Sequence, residues 1–553
     1  MAPENNLRFA PLWALSLLII IPLWAPKESD IGQAYGFYAT WQGRLLLAAL
    51  ISLTALAIYL FSHPVKGQRL EILAGRYSGK IILFYFLAYA TVFSTLAIIA
   101  YLRFHSDVDY ANFLQLYYSA SHGKFFTSCL SNAPHEISIF ADHNSPILMA
   151  ILPVFLFLPY PPVFIVISSL LLGATALILF RYLRRIVRLD NPTSLCLSFA
   201  ATLAPYFVSQ NFQGLSMEMF GPPLFILAFY LFERDRFWPF MLSLLALNLI
   251  KEQVAIVMLV FVPFALLRRK NLRWAIGPLA LNLAMLVISF GIVIPHFRPT
   301  GAYKILNPDT ARSLPEQALG YLRDPMGAIR QVTEPFRLTY IYILAATNLF
   351  FLPFLALESL FVLPSLAKNL LFVGWAANIM SKHTLLLSGA MSVAVGKAVR
   401  RMSAAKESGD EVEERRDRGP KPAYSRTLAI LLLASSIAHF PVWWKNINLA
   451  KDANHEARLE VLERIPPETP IAAPQNMLAR FAARNKVYNS ATPEGLTGFD
   501  MPVDYVILDI SFHPEHYDYE ALLRASNAGD GLLKGFKPTW QDGGLYLFER
   551  VAK

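Results

Sequence analysis

Between Arg103 and Ser145 this chain places His105, Asp107, Asp109, Gln115, His122, Lys124, His135, Glu136, Asp142 and His143, a dense polar set in a protein of which only 16% of residues are charged. Asp107 and Asp109 stand directly after the apolar run "IILFYFLAYATVFSTLAIIAYL". Two readings compete for acids at such a helix exit. They are either solvated, or partly desolvated, in which case the carboxylate pKa rises and the group becomes fit to take a proton from a hydroxyl nucleophile. The neighbouring residues favour the second. Phe113, Leu114, Leu116 and Tyr117 interleave with the polar residues as on an amphipathic helix at a membrane surface. Such a loop can bring carboxylates and imidazoles together where a lipid headgroup would sit.

Other ionisable residues interrupt apolar sequence further along. Lys251 and Glu252 break two apolar stretches, and an ionisable group near membrane depth is usually inward-facing and functional. Adjacent helical positions do not face each other, so a mutual ion pair is not the default explanation for them. A solvated turn joining two short spans is the competing one. Glu218 also falls at a helix end. His143 could instead cap the helix that begins near Pro146, with Asp142 or Ser145 as its N-cap.

The elements that position these residues are membrane spans. With 55% hydrophobic residues and a mean hydropathy of +0.41, the apolar surplus exceeds what a soluble core needs. Crossing a bilayer takes about 20 apolar residues, and counting such windows gives roughly thirteen crossings. Clear windows lie near 9–25, 44–62, 81–102, 161–183, 274–294 and 427–444; shorter ones lie near 193–208, 219–232, 237–250 and 253–267, and the stretch 336–399 holds three more. The formal net charge of +10 gathers in short loops such as "RYLRRIVR", "ERDR" and "RRKNLR". It reads as a topology signal that puts those loops and the N-terminus in the cytoplasm, with no nucleic-acid motif beside it. This orientation is consistent only if "PILMAILPVFLFLPY" does not cross, so a re-entrant or interfacial helix is expected there, ended by Pro161 and Pro162. Cys129 and Cys196 have no partner at ligand spacing, which excludes a zinc site or disulfide framework.

Three regions follow. Residues 1–62 carry two N-terminal helices, residues 63–444 a transmembrane domain with the external loop 103–145, and residues 445–553 a small extracytoplasmic α/β domain. In the last, "TPIAA", "KVYNS" and "DYVILDI" read as strands, "NMLARFAAR" and "EHYDYEALLRASN" as helices, and "TWQDGGLYLFER" as a hairpin. The charged stretch 400–426 lacks apolar periodicity and reads as a flexible linker.

"DYANFLQLYYSASHGKFF", "ADHNSPI", "LSMEMFGPPLFILAFYL", "LIKEQVAI", "LPSLAKNLL" and "KHTLLLSG" resemble, in order, the motifs of an uncharacterised family of bacterial and archaeal multispanning membrane proteins. That domain-of-unknown-function family is itself similar to GT-C glycosyltransferases, enzymes that use lipid-phosphate-linked sugars. By this resemblance the family's first-loop Asp falls on Asp109, its Gln on Gln115 and its Asp-His pair on Asp142 and His143. Of its later His-Pro-Glu only Glu218 matches, since Ser216 and Met217 occupy the other two places. Its Lys-Glu pair falls on Lys251 and Glu252, and its later His on His383, where Thr384 stands in place of the usual aromatic.

The resemblance implies a GT-C-like all-α polytopic fold and an inverting transfer. Asp109 would be the base, and Asp107, Gln115, Asp142, His143, Glu218, Lys251, Glu252 and His383 would bind substrate. Lys251, His143, Arg103 or His383 would meet the negative charge developing on a polyprenyl phosphate leaving group. Asp142 could fix the tautomer of His143 or share a divalent cation, Mg or Mn, with Asp109; both options stay open. "DVD" also matches the Asp-X-Asp of nucleotide-sugar enzymes, but no soluble nucleotide-binding domain accompanies it. The partners implied are membrane lipid, a polyprenyl-phosphate-linked sugar and a glycan, lipid or protein acceptor, met on the outer side of a bacterial cytoplasmic membrane. The rival is a transporter or flippase of lipid-linked sugars, or a noncatalytic envelope-assembly subunit. Against transport stand the absence of an internal repeat and the concentration of polar residues in one loop.

Overall fold

The computed structural model describes residues 36–130, 136–298, 314–350, 352–372, 374–405, 422–444, 449–451, 453–490, 502–510, 533 and 535–551. The apolar run 9–25, His135 and "EHYDYEALLRASN" lie outside the described residues, as does most of the charged stretch 400–426.

Helices dominate the first 444 residues. α1 (Trp41–Ser62) begins at Thr40, whose side chain accepts from Gly43 N. α2 (Pro64–Leu102) begins at His63, with Pro64 at the position where a missing N–H costs nothing. Sequence patterning suggests a basic loop over "HPVKGQRLEILAGRYSGK", whereas all but its first residue is helical and continuous with the span that follows. With 39 residues, α2 is about 58 Å long, well beyond an apolar core of about 30 Å. Its charged first half has no proline after Pro64, and Leu, Glu, Lys, Arg and Gln outnumber its three glycines, so charge there marks the membrane edge without ending the helix.

Beyond α2 come α3 (Val108–Ser121), α4 (Pro162–Tyr182), α5 (Asn191–Leu203), α6 (Gly221–Glu233), α7 (Phe237–Asn248), α8 (Glu252–Met258), α9 (Phe261–Leu267) and α10 (Arg273–Ile288). After them run α11 (Pro335–Thr347), α12 (Val362–Ala367), α13 (Thr384–Ala405) and α14 (Pro422–Ala438). Five described segments are long and apolar enough to cross a membrane: Trp41–Phe61, Glu71–Leu102, Pro162–Val187, Arg273–Phe297 and Tyr424–Val442. Pro146–Phe157, Phe237–Asn248 and Glu252–Leu267 are apolar but shorter. A helix of 12 residues such as α7 reaches only about 18 Å. Polar breaks explain the shortening: Lys251 interrupts the helical path between α7 and α8. The segment after Pro146 forms only Pro146–Ala150 and Leu152–Phe157, too short to cross.

α3 is not the surface-lying helix its pattern suggests. Tyr110, Ala111 and every residue from Phe113 to Ser119 are buried, because polar and apolar faces alike meet protein. The Tyr117 hydroxyl donates to Leu148 O at 2.9 Å, and the Tyr110 hydroxyl to Pro161 O. Gly214, at φ +70°, lets the chain pass against the Tyr110 ring, which lies 2.2 Å from where a Cβ would stand.

In the loop after α3, β1 (Thr127–Ser128) pairs antiparallel with β2 (Ile137–Ser138). The C-terminal strands β3 (Ile471–Ala473), β4 (Val487–Asn489), β5 (Tyr505–Asp509), β6 (Phe536–Asp542) and β7 (Leu545–Arg550) form a five-stranded sheet in the order β4-β3-β5-β7-β6. β3 runs parallel to β4 and β5, while β7 is antiparallel to β5 and β6. The β6–β7 hairpin turns on Gly543 and Gly544, both at positive φ as a tight hairpin requires. This sheet packs against the region that launches α3. Arg480 lies over the rings of Tyr101 and Phe104 and donates to Leu102 O at 3.3 Å. Arg458, paired to the fully buried Asp509, lies over Phe104 as well. Cys129 from the loop after α3 is buried in the sheet's own core with Tyr488, Val506 and Phe548.

Candidate functional site

α3 starts at Asp107, whose Oδ1 accepts from Asp109 N at 3.1 Å, an ordinary N-cap bond. Burial and the adjacent Asp109 carboxylate hold Asp107 above its usual carboxylate pKa. Asp109 sits in the first helical turn with its side chain 42% exposed, and its Oδ2 pairs with the ammonium of Lys382. Lys382 lies in the turn that precedes α13, with the face of Phe113 at 6.0 Å. Burial alone would depress its pKa, but the carboxylates of Asp109 and Glu218 raise it above the ordinary lysine value.

A second group of residues is held by Glu252. This carboxylate, fully buried at the start of α8, meets His143 Nδ1 at 3.2 Å through Oε1 and accepts from Asn144 N at 3.1 Å through Oε2. Asn144 Nδ2 donates to Ser289 Oγ at 2.8 Å, and Ile147 N donates to Leu249 O at 3.0 Å. Thus "DHNSP" is fastened to the α7–α8 break and to α10. Glu252 acts as the anchor of His143, which the sequence reading had not supposed.

Lys251 stands one residue before, at extended backbone angles that turn its side chain away from that of Glu252. It pairs with Glu218 Oε1 at 3.5 Å, both side chains being more than nine-tenths buried. Glu218 Oε2 is buried and has no hydrogen-bond partner among the described residues. A long, half-satisfied buried ion pair is costly unless a further polar group completes it.

Lys368 closes the group from another direction. Its ammonium lies 3.1 Å from His383 Nδ1 and 3.4 Å from Gln253 Oε1. It begins a π-helical turn, Lys368–Phe372, a local distortion often found at functional sites. The pieces form one electrostatic cluster. Glu218 feels Lys251, Lys382 and His143; Lys368 feels Lys251, Glu218 and Glu252; His383 feels Lys368, Lys251, Lys382 and His143.

The fold therefore gathers Asp107, Asp109, His143, Glu218, Lys251, Glu252 and His383, taken from five stretches of sequence. It does not gather Gln115 or Asp142. Gln115 is buried on the far side of its turn, where Oε1 accepts from Ser128 Oγ at 2.7 Å and Cys129 N at 3.0 Å, stitching the loop to α3. Asp142 is partly exposed and faces Arg298 at 4.0 Å. Lys368 and Lys382 lie within the motifs "LPSLAKNLL" and "KHTLLLSG" but are absent from the site residues that the resemblance implies. Each lay in plain view as a lysine within the apolar stretch 336–399, which is itself a signal.

Asp109 and Asp142 each face a different cation, and among the described residues no three His, Cys, Asp or Glu side chains lie together as a metal would need. That donor set does not fit a shared divalent cation. What the arrangement can do is receive an anion: three ammonium groups and two imidazoles converge against the buried carboxylates of Glu218 and Glu252, with the Asp109 carboxylate at the rim.

A family model described as predicted membrane protein (DUF2079) matches residues 100–527. No curated protein matches the chain. Two crystal structures of ArnT from Cupriavidus metallidurans are similar to it, one bound to undecaprenyl phosphate and one in the apo state. The first shows 12% identity and a TM-score of 0.46 over 86% of this chain and 98% of that one. The second shows 10% identity and a TM-score of 0.49 over 86% and 99%. At those values nothing about this chain's activity follows from the likeness.

Proposed function

This chain belongs to the DUF2079 family of predicted membrane proteins, and from that premise we propose that it is a membrane glycosyltransferase using a polyprenyl-phosphate-linked sugar. One observation carries the proposal: the Asp109 carboxylate is joined through Lys382 to a buried group of ammonium and imidazole side chains. A base and an anion receptor in contact are what displacement at a sugar phosphate requires.

The donor's phosphate enters among Lys251, Lys368 and Lys382 and accepts from their ammonium groups. As it draws Lys382 towards itself, Asp109 is released from its ion pair. The acceptor hydroxyl then gives its proton to Asp109 while its oxygen forms a bond to the anomeric carbon. The bond from that carbon to the phosphate oxygen breaks, and its electron pair leaves as polyprenyl phosphate, whose added negative charge the lysines meet. His143, held by Glu252, stands beside the same anion. The acceptor is a glycan, lipid or protein hydroxyl, reached on the outer side of the cytoplasmic membrane.

The test separates transfer from transport. Purified protein in sealed vesicles is given radiolabelled polyprenyl-phosphate sugars with a pool of hydroxyl acceptors. A new glycoside, with release of polyprenyl phosphate, supports the proposal. Movement of labelled lipid across the bilayer without a new glycosidic bond refutes it in favour of a transporter.

A further inference from the structure

Two short helices, Leu314–Arg323 and Pro325–Val332, take no part in the cluster. They meet at Asp324, whose Oδ1 caps the second by accepting from Gly327 N at 2.8 Å. One side of the pair is bound to protein. The Tyr321 hydroxyl lies within hydrogen-bond reach of Gln331 Oε1 and the Leu371 carbonyl. Gln331 Nε2 donates to that carbonyl at 2.9 Å, and Arg337 Nη1 donates to Gln331 O at 3.0 Å.

The other side is apolar and uncovered. Leu319, Leu322, Met326 and Ile329 are all more than half exposed, and Leu322 reaches 78%. Within each helix the two apolar residues are three positions apart and so share a face. Arg323 and Arg330 are exposed beside them, the Arg330 guanidinium within 3.2 Å of Asp324 Oδ2. In water this face would be among the least favourable surfaces of the molecule.

We propose that the helix pair lies in the lipid–water interface, with Leu319, Leu322, Met326 and Ile329 sunk among acyl chains and Arg323 and Arg330 at the level of the lipid phosphates. Two observations choose lipid as the occupant. The chain continues directly into α11, where Phe336 and Leu338 extend the exposed apolar surface of a membrane protein. The flanking guanidiniums complement phosphate headgroups, the charge pattern of a helix lying in the interface. The pair also fixes the site to the membrane surface. It holds Leu371 O, and Leu371 shares the π-helical turn with Lys368. Lys368 thereby sits at a set depth below the seated helices. The relevance of that depth to donor binding rests on the proposed function; the seating of the helices does not.

Full-length Leu322→Cys, Met326→Cys and Thr333→Cys proteins are labelled with an environment-sensitive NBD dye. They are reconstituted in phosphatidylcholine vesicles containing phosphatidylglycerol, and wild-type protein treated identically supplies the background from Cys129 and Cys196. Dyes at 322 and 326 should emit to the blue and lose most of their emission to a nitroxide carried on the lipid chain, and little to aqueous iodide. The dye at 333 should show the reverse order. Iodide quenching at 322 and 326 equal to that at 333 overturns the seating. Shielding from both quenchers also overturns it, since protein would then cover the face. No donor or acceptor is present, so a failed transfer assay leaves the result standing.

Discussion

Asp109 and Lys382 form an ion pair across 273 residues of chain, tying the first turn of α3 to the turn before α13. Apart from Asp107, whose Oδ1 accepts from Asp109 N, the cluster reaches Asp109 through that contact. The two partners should therefore fail in different ways when each is changed.

Replacing Lys382 by Met removes a phosphate ligand while leaving the carboxylate in place. The KM for the lipid-linked donor should rise by roughly tenfold or more, the worth of one charge-assisted hydrogen bond, with a smaller loss in kcat. Steady-state transfer rates at varied donor concentration check this. A fall in kcat alone, with KM unchanged, would show that Lys382 only positions Asp109.

Glu252 is an anchor before it is a ligand. Glu252→Ala strips the partner from His143 Nδ1 and Asn144 N together and leaves buried polar groups behind, so it should cost about 3 kcal/mol of stability. Glu252→Gln, which can still accept from Asn144 N, should cost less. Thermal unfolding in detergent compares the two, and equal melting temperatures would remove the anchoring role.

Gly214→Ala forces a methyl group against the Tyr110 ring, one residue from Asp109. Overpacking of this kind costs about 2 kcal/mol. Because the ring must move with the first turn of α3, donor turnover should fall even in protein that remains folded. Tyr110→Ala in the Gly214→Ala background should recover part of the melting temperature.

The loop after α3 should weaken in acid. The Lys124 ammonium and the Thr127 hydroxyl bonded to Glu136 outweigh its partial burial and hold its carboxyl below the ordinary 4.5. A folded-state pKa below the unfolded one contributes stability that is present above pH 4.5 and is lost as pH falls through the folded value. Both side chains are partly exposed, so the effect is about 1 kcal/mol at most. Amide exchange protection at the pairing of β1 (Thr127–Ser128) with β2 (Ile137–Ser138) should decline over that window, and Glu136→Gln should abolish the decline. Protection unchanged in the wild type would contradict it.

Much of the frame was legible from composition alone, since apolar runs have one explanation at this length. The strands of the tail were legible from alternation and from the Gly543–Gly544 turn. Span counting went less well: Lys251 cuts its helical path, so α7 and α8 are short, and sequence windows cannot tell a short packed helix from a crossing. The burial of α3 was hidden for a different reason. One side of it meets C-terminal residues some 350 positions later, as in the contact of the Tyr118 hydroxyl with Glu468 in the turn before β3, and local periodicity carries no record of so distant a partner. Within the cluster, Asp109, Glu218, Lys251 and Glu252 stood out because charge is rare in this chain. Lys368 and Lys382 stood out equally, but only the fold shows that they turn to the same place. Gln115 lies apart from the cluster, and a buried amide that stitches a loop has the same sequence signature as one that binds a ligand.

The role of Asp109 is tested most directly by single-turnover transfer from a radiolabelled polyprenyl-phosphate sugar, comparing wild-type protein with Asp109→Asn at matched melting temperature. The nearly isosteric amide keeps the shape of the site and removes the base. The rate of glycosidic bond formation should drop by about a hundredfold or more while donor binding persists. Transfer at the wild-type rate by Asp109→Asn would contradict the account at its centre.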